Sequence, residues 1–263
     1  MYALSVALTI LLDLMLIAVI GAEVTQFPSR YRNLKEEIAQ GKAGARIRVY
    51  CRVLTFEASS AMLAMLSLGL HWSRLNPRGL GLGAGPFTRL FGEPEAIRGV
   101  LEGALGGIAA GTVAMAAFRL WTNRRPLSGG AAGWRKLLPD FSALIPVTGR
   151  ERLLWCAVAV SAGVCEEIVF RGWLMALFHQ AAGLRGSALV AASAAVFGLA
   201  HWYQRLPGIL LTGLAGALFC LLYLQTGSLL LPMLLHSLID LRIAILPAPA
   251  PEKRRTARPE AAG

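Results

Sequence analysis

The stretch from Leu153 to Gln180 reads LLWCAVAVSAGVCEEIVFRGWLMALFHQ, and full charges occur in it only at Glu166, Glu167 and Arg171. A helix of that length rises about 42 Å, whereas the hydrocarbon core of a bilayer is about 30 Å thick. The run is therefore read as a tilted transmembrane helix, or as one that starts in the interface beside Arg150 and Arg152. An ionisable side chain within a span costs a few kcal/mol by insertion scales, so such groups are functional candidates by default.

Working outward, six further apolar runs occur at Tyr2–Ile20, Val53–Leu70, Val100–Trp121, Ser187–Tyr203, Ile209–Leu224 and Leu229–Leu246. Hydrophobic residues make up 56% of the chain and charged ones 16%, which excludes an ordinary soluble domain. The fold class expected is an all-α, polytopic transmembrane helical bundle of about seven spans. Three regions are expected: 1–149, transmembrane helices and loops without an assigned role; 150–246, a helical core; and 247–263, a disordered basic tail.

The net charge of +11 raises a nucleic-acid reading, but the basic residues fall in the connections between apolar runs and no aromatic-interleaved basic stripe is present. No nucleic-acid partner is expected. Alternate connections hold 19 and 5 Lys/Arg residues, which places the N-terminus outside and the C-terminal tail in the cytoplasm. The first run has no basic residue before it, so it is read as a retained span and not as a cleaved leader. The four cysteines lack CxxC spacing and indicate neither a disulfide framework nor a thiolate zinc site. Gly103, Gly107 and Gly111 offer a flat packing face on the third run.

Three polar clusters interrupt the last spans: Glu166-Glu167 with Arg171, Phe197 with His201, and His236 with Asp240. Glu167 stands four residues before Arg171, the favourable order for a helical ion pair. Glu166 points about 100° away from Glu167 and is free to face a different partner. His236 and Asp240 share a face. Glu166, His201 and His236 can therefore converge from three helices. Asp13, Glu57, Glu102 and His179 are read as packing, snorkelling or helix-end residues.

The ordered words EExxxR, FxxxH and HxxxN/D resemble the CPBP family of intramembrane glutamic proteases, which includes CaaX prenyl endopeptidases and bacteriocin-processing proteins. The resemblance covers roughly residues 150–246 and implies that this helical core is the catalytic one. It implies that Glu166 is the general base, that His201 helps to bind the attacking water, and that His236 and Asp240 stabilise the oxyanion. Glu167 and Arg171 take a supporting role. Many relatives carry Asn at the position of Asp240, so Asp240 either donates as an acid or accepts from His236.

The expected function is an intramembrane endopeptidase without a cofactor. It would cleave a membrane-associated protein or peptide near its C-terminus, in a bacterial inner membrane. The alternatives are a zinc metalloprotease with Glu166, His201 and His236 as ligands, and a non-catalytic immunity-type or transporter-like membrane protein.

Overall fold

The computed structural model describes residues 2–71 and 141–246, with three isolated positions between them. The expected span at 100–121 with its glycine face, the loop at 72–98 and the tail after Pro247 lie outside the described residues, as does Glu102. The described residues are helical and contain no strand.

Helix α1 (Tyr2–Ala39) and helix α2 (Ala45–His71) form an antiparallel hairpin. Both extend beyond the apolar runs read from the sequence. At 38 residues α1 is about 57 Å long. Its second half continues because Phe27, Tyr31, Leu34 and Ile38 recur at helical spacing and pack into one apolar cluster with Tyr50 and Trp155. The charged residues of the 22–52 segment therefore decorate helices where a loop was expected. Reversal of the chain takes only a few residues, with Gly41 (φ 72°) and Gly44 (φ 69°) in the left-handed region that glycine adopts without a Cβ clash.

A short 3₁₀ turn at Ser142–Leu144 is anchored to this hairpin by the Tyr50 hydroxyl, which donates to the Leu144 carbonyl at 2.6 Å, and by Arg46 Nε, which donates to Ala143 at 2.9 Å. Helix α3 (Gly149–Glu167) then starts on a capping box. The Glu151 N–H donates to the Thr148 hydroxyl at 3.2 Å, and the Glu151 carboxylate takes the Thr148 N–H at 3.1 Å. Such a cap contributes on the order of 1 kcal/mol.

The expected 153–180 helix is present but not uniform. A π-helical segment at Ile168–Leu174 follows α3 and leads into helix α4 (Met175–Ala182). Helix α5 (Gly186–Ala200) ends at His201, and a 3₁₀ turn at Trp202–Gln204 leads to helix α6 (Arg205–Thr226). Helix α7 (Leu230–Leu241) closes the described chain and tightens into a 3₁₀ turn at Arg242–Ile245.

The molecule is an all-α polytopic bundle. Among the described residues four helical stretches are long and apolar enough to cross a membrane: Ser5–Ala39, Ala45–Leu70, Gly149–Ala182 and Trp202–Thr226. On α6, Leu206, Leu210, Leu214, Leu218 and Leu221 form an exposed stripe at three- and four-residue spacing, as a lipid-facing surface requires. Helix α5 is 15 residues and α7 is 12, so each is shorter than the crossing read from its apolar run.

Glycines bring the short helices close to their neighbours. A Cβ on Gly163 of α3 would lie 2.6 Å from the backbone nitrogen of Ser237 on α7. One on Gly198 of α5 would lie 2.6 Å from the Ile209 carbonyl oxygen on α6. Both contacts sit beside the polar clusters, one turn or less from Glu166 and His201.

Candidate active site

Glu167 and Arg171 meet across the start of the π-helical segment, and neither side chain has any exposed surface. Arg171 Nη1 donates to Glu167 Oε1 at 2.8 Å, and Nη2 donates to the Gly216 carbonyl of α6 at 3.1 Å. The guanidinium carbon lies 4.4 Å from the centre of the Phe197 ring and 5.3 Å from that of Phe219. One cation therefore ties the π-helical segment to α3 by an ion pair, and to α5 and α6 by a hydrogen bond and two ring faces. Leaving either charge of this pair alone would cost about 3–5 kcal/mol.

The same carboxylate reaches α7. His236 Nδ1 stands 2.9 Å from Glu167 Oε1, and since a carboxylate only accepts, Nδ1 carries the proton. That bond turns Nε2 toward the other two carboxylates: Glu166 Oε2 at 3.9 Å and Asp240 Oδ2 at 3.7 Å. Both distances exceed a direct hydrogen bond and match a gap bridged by water or by a substrate oxygen. The ring is stacked on Phe219 (5.3 Å, 24°) and meets Phe197 edge-on (5.9 Å, 85°), so its plane is fixed from two sides. Trp155 of α3 donates to the Asp240 carbonyl at 3.0 Å and holds the end of α7.

His201 caps α5. Its Nδ1 is 2.9 Å from the Phe197 carbonyl, one turn back, and its ring lies 4.9 Å from the Phe197 ring. Phe197 thus separates His201 from His236 by the thickness of one aromatic side chain. The turn after His201 is clasped by α1: Trp202 Nε1 donates to the Val24 carbonyl at 2.7 Å, and the Tyr203 ring packs on Phe27 (4.6 Å) and Tyr31 (5.7 Å). Arg205 takes up the reversal with φ 67° and ψ −178°, a backbone region that costs a non-glycine residue on the order of 1–3 kcal/mol.

Glu166, Glu167, Arg171, His236 and Asp240 therefore form one connected group, with His201 beside it across Phe197. Glu167 pairs with Arg171 as its spacing indicates. The two glutamates also share a partner that the spacing did not reveal. They address the two nitrogens of a single histidine, because α7 packs directly against the turn that carries both glutamates. Among the described residues, no three His, Cys, Asp or Glu side chains are grouped as metal ligands would be.

Of the polar residues set aside, two have ordinary structural partners. Asp13 takes hydrogen bonds from Trp173 Nε1 (2.7 Å) and the Ser67 hydroxyl, and His179 Nδ1 meets the Leu184 carbonyl at 3.0 Å at the end of α4. Glu57 is different. It lies on α2 in a buried stripe with Tyr50, Ala61, Ala64 and Leu68, is 3% exposed, and has an oxygen without a hydrogen-bond partner. The signal was present in the sequence as one carboxylate amid a helical row of small and apolar residues.

Residues 149–242 match the family described as type II CAAX prenyl endopeptidase Rce1-like. This segment is similar to that family. It runs from the first turn of α3 to the end of α7 and contains all six residues of the cluster. The family is one of proteases, and its name implies a membrane-associated protein substrate. No curated protein and no solved structure matches the chain.

Proposed function

We propose that this chain is an intramembrane endopeptidase that hydrolyses a peptide bond of a membrane-associated protein, with Glu166 as general base and no metal ion. The observation that carries this reading is His236, held through Nδ1 by Glu167 and turned so that Nε2 faces Glu166 and Asp240.

Glu166 takes a proton from a water placed between it and His201, and the hydroxide attacks the scissile carbonyl. Negative charge grows on the carbonyl oxygen, which lies against a doubly protonated His236. Glu167, bonded to Nδ1–H, stabilises the imidazolium, in the same way that a buried carboxylate supports any histidine required to be cationic. Asp240 borders the same space and serves the oxyanion as a protonated donor. Glu166 then passes its proton to the leaving amine, which returns the site to its starting state. Glu167 and Arg171 bind no substrate and keep the π-helical segment in place.

The loop-charge asymmetry supports a cytoplasmic C-terminus in a bacterial inner membrane, and the family supports cleavage near the C-terminus of the substrate. The test uses the purified full chain in detergent with an internally quenched farnesylated peptide ending in a CAAX sequence. Turnover is expected in the wild type, unaffected by a strong zinc chelator, and abolished in Glu166→Gln. Stoichiometric zinc with chelator-sensitive activity would replace this reading with a metalloprotease. Asp240→Asn is expected to retain activity, because an amide donates to the oxyanion without needing a proton of its own.

A further inference from the structure

We propose that Glu57 is a positioning residue of this site, a carboxyl on α2 that shares one proton with Glu166 and so holds Glu166 aimed at the water. The inference rests on the reading of Glu166 as the base.

Three observations place it. Glu57 is nearly sealed from solvent, at 3% exposed, and its Oε2 has no hydrogen-bond partner. On the facing helix, Glu166 Oε2 is likewise buried without a partner. Between the two helices, Val53 and Leu54 of α2 share an apolar cluster with Val158 and Ala159 of α3, and Ala61 shares one with Ile168 and Val169 just beyond it. Glu57 thus lies on α2 between two stretches packed on α3, beside the turn that carries Glu166.

Two uncommitted carboxylates in a low-dielectric site repel, and a single proton held between them removes the repulsion and satisfies both lone pairs at once. No lysine or arginine is shown against Glu57 among the described residues to do this instead. The proton count closes. The resting pair holds one proton, two after Glu166 deprotonates water, and one again when the leaving amine is protonated. The apolar stripe around Glu57 contributes the rigidity: Ala61, Ala64 and Leu68 pack in the cluster that contains Ile168 and Val169 of the π-helical segment, so α2 cannot slide without disturbing the site.

Infrared difference spectroscopy of the full chain in detergent, recorded across an acid-to-alkaline titration, tests the contact without any substrate. A protonated-carboxyl stretch is expected that disappears in Glu57→Gln and changes frequency in Glu166→Gln. The absence of such a band, or its indifference to Glu166→Gln, overturns the proposal. With the farnesylated peptide, Glu57→Leu is expected to lower kcat about tenfold or more with KM little changed, as loss of aim in a catalytic group does. Glu57→Gln should recover part of that loss, since its amide still donates to Glu166. Unchanged kcat in Glu57→Leu overturns the positioning role. Retained turnover in Glu166→Gln would instead remove Glu166 as base, while the spectrum would still decide whether Glu57 meets it.

Discussion

Asp13 on α1 and Glu166 on α3 are both carboxylates inside apolar helices, and their surroundings differ in kind. Asp13 Oδ1 receives two donors, Trp173 Nε1 and the Ser67 hydroxyl, and so joins α1, α2 and the π-helical segment. Glu166 keeps Oε2 without a partner and faces a histidine nitrogen across 3.9 Å. A carboxylate that accepts from a tryptophan and a serine acts as a clasp, because its lone pairs are engaged before any substrate arrives. One whose Oε2 has no hydrogen-bond donor on it, set against a histidine whose other side is already anchored, suits the proton transfer proposed for Glu166. The contrast between intramembrane acids therefore lies less in burial than in how many donors each has already accepted.

The comparison is sharpest in the variants that remove charge and keep shape. On the proposed mechanism, Glu166→Gln should lower turnover by about 10²–10⁴-fold with an unchanged melting temperature, since it removes the base and leaves the packing intact. Loss of fold in that variant would make Glu166 a clasp after all. Next in size is Arg171→Ala, which strands Glu167 in the core and should cost about 3–5 kcal/mol in stability, read from thermal melting in detergent. A normal melting temperature with activity lost would make Arg171 a direct participant. Gly163→Ala should cost about 1–3 kcal/mol and reduce activity, because the added methyl pushes α7, and His236 with it, away from α3. An unchanged variant would mean that this close approach is dispensable. The smallest effect belongs to Asp13→Asn, where an amide oxygen still accepts from Trp173 and Ser67. About 1 kcal/mol is expected, with turnover preserved, and a large activity loss would erase the distinction between the two acids.

Much of the cluster was legible because its signals are local. Glu167 and Arg171, or His236 and Asp240, lie four residues apart on one helix, and helical geometry alone puts each pair on a face. The extents of α1 and α2 were not legible. Between Glu23 and Arg52 the charges resemble a loop, and only the partner helices reveal that Phe27, Tyr31 and Leu34 form a packed face. The convergence of Glu166 and Glu167 on one histidine depends on which helix packs against α3, which spacing along a single chain does not encode. The helical row marks Glu57 in the sequence, but the part proposed for it depends on α3, about a hundred residues away in the chain. The π-helical segment leaves no mark either, since Ile168–Leu174 would suit an ordinary α-helix equally well.

That segment has a consequence for how the chain tolerates changes in length. A π turn accommodates an extra residue relative to the α-helix around it. Deleting the residue it accommodates would let the stretch close into regular α-helix with both flanks still in register, whereas a deletion within an ordinary α-helix rotates one flank against the other by about 100°. The change would fall on Arg171 and its hold on Glu167 and Phe197, while the flanks and the mean hydropathy of the span would hardly alter. In a systematic single-residue deletion scan, deletions in this seven-residue window should therefore cost less of the fold than deletions in the middle of α6, which turn its exposed leucine face inward. A deletion there is a change of local geometry and not of composition, and membrane insertion would give no warning of it.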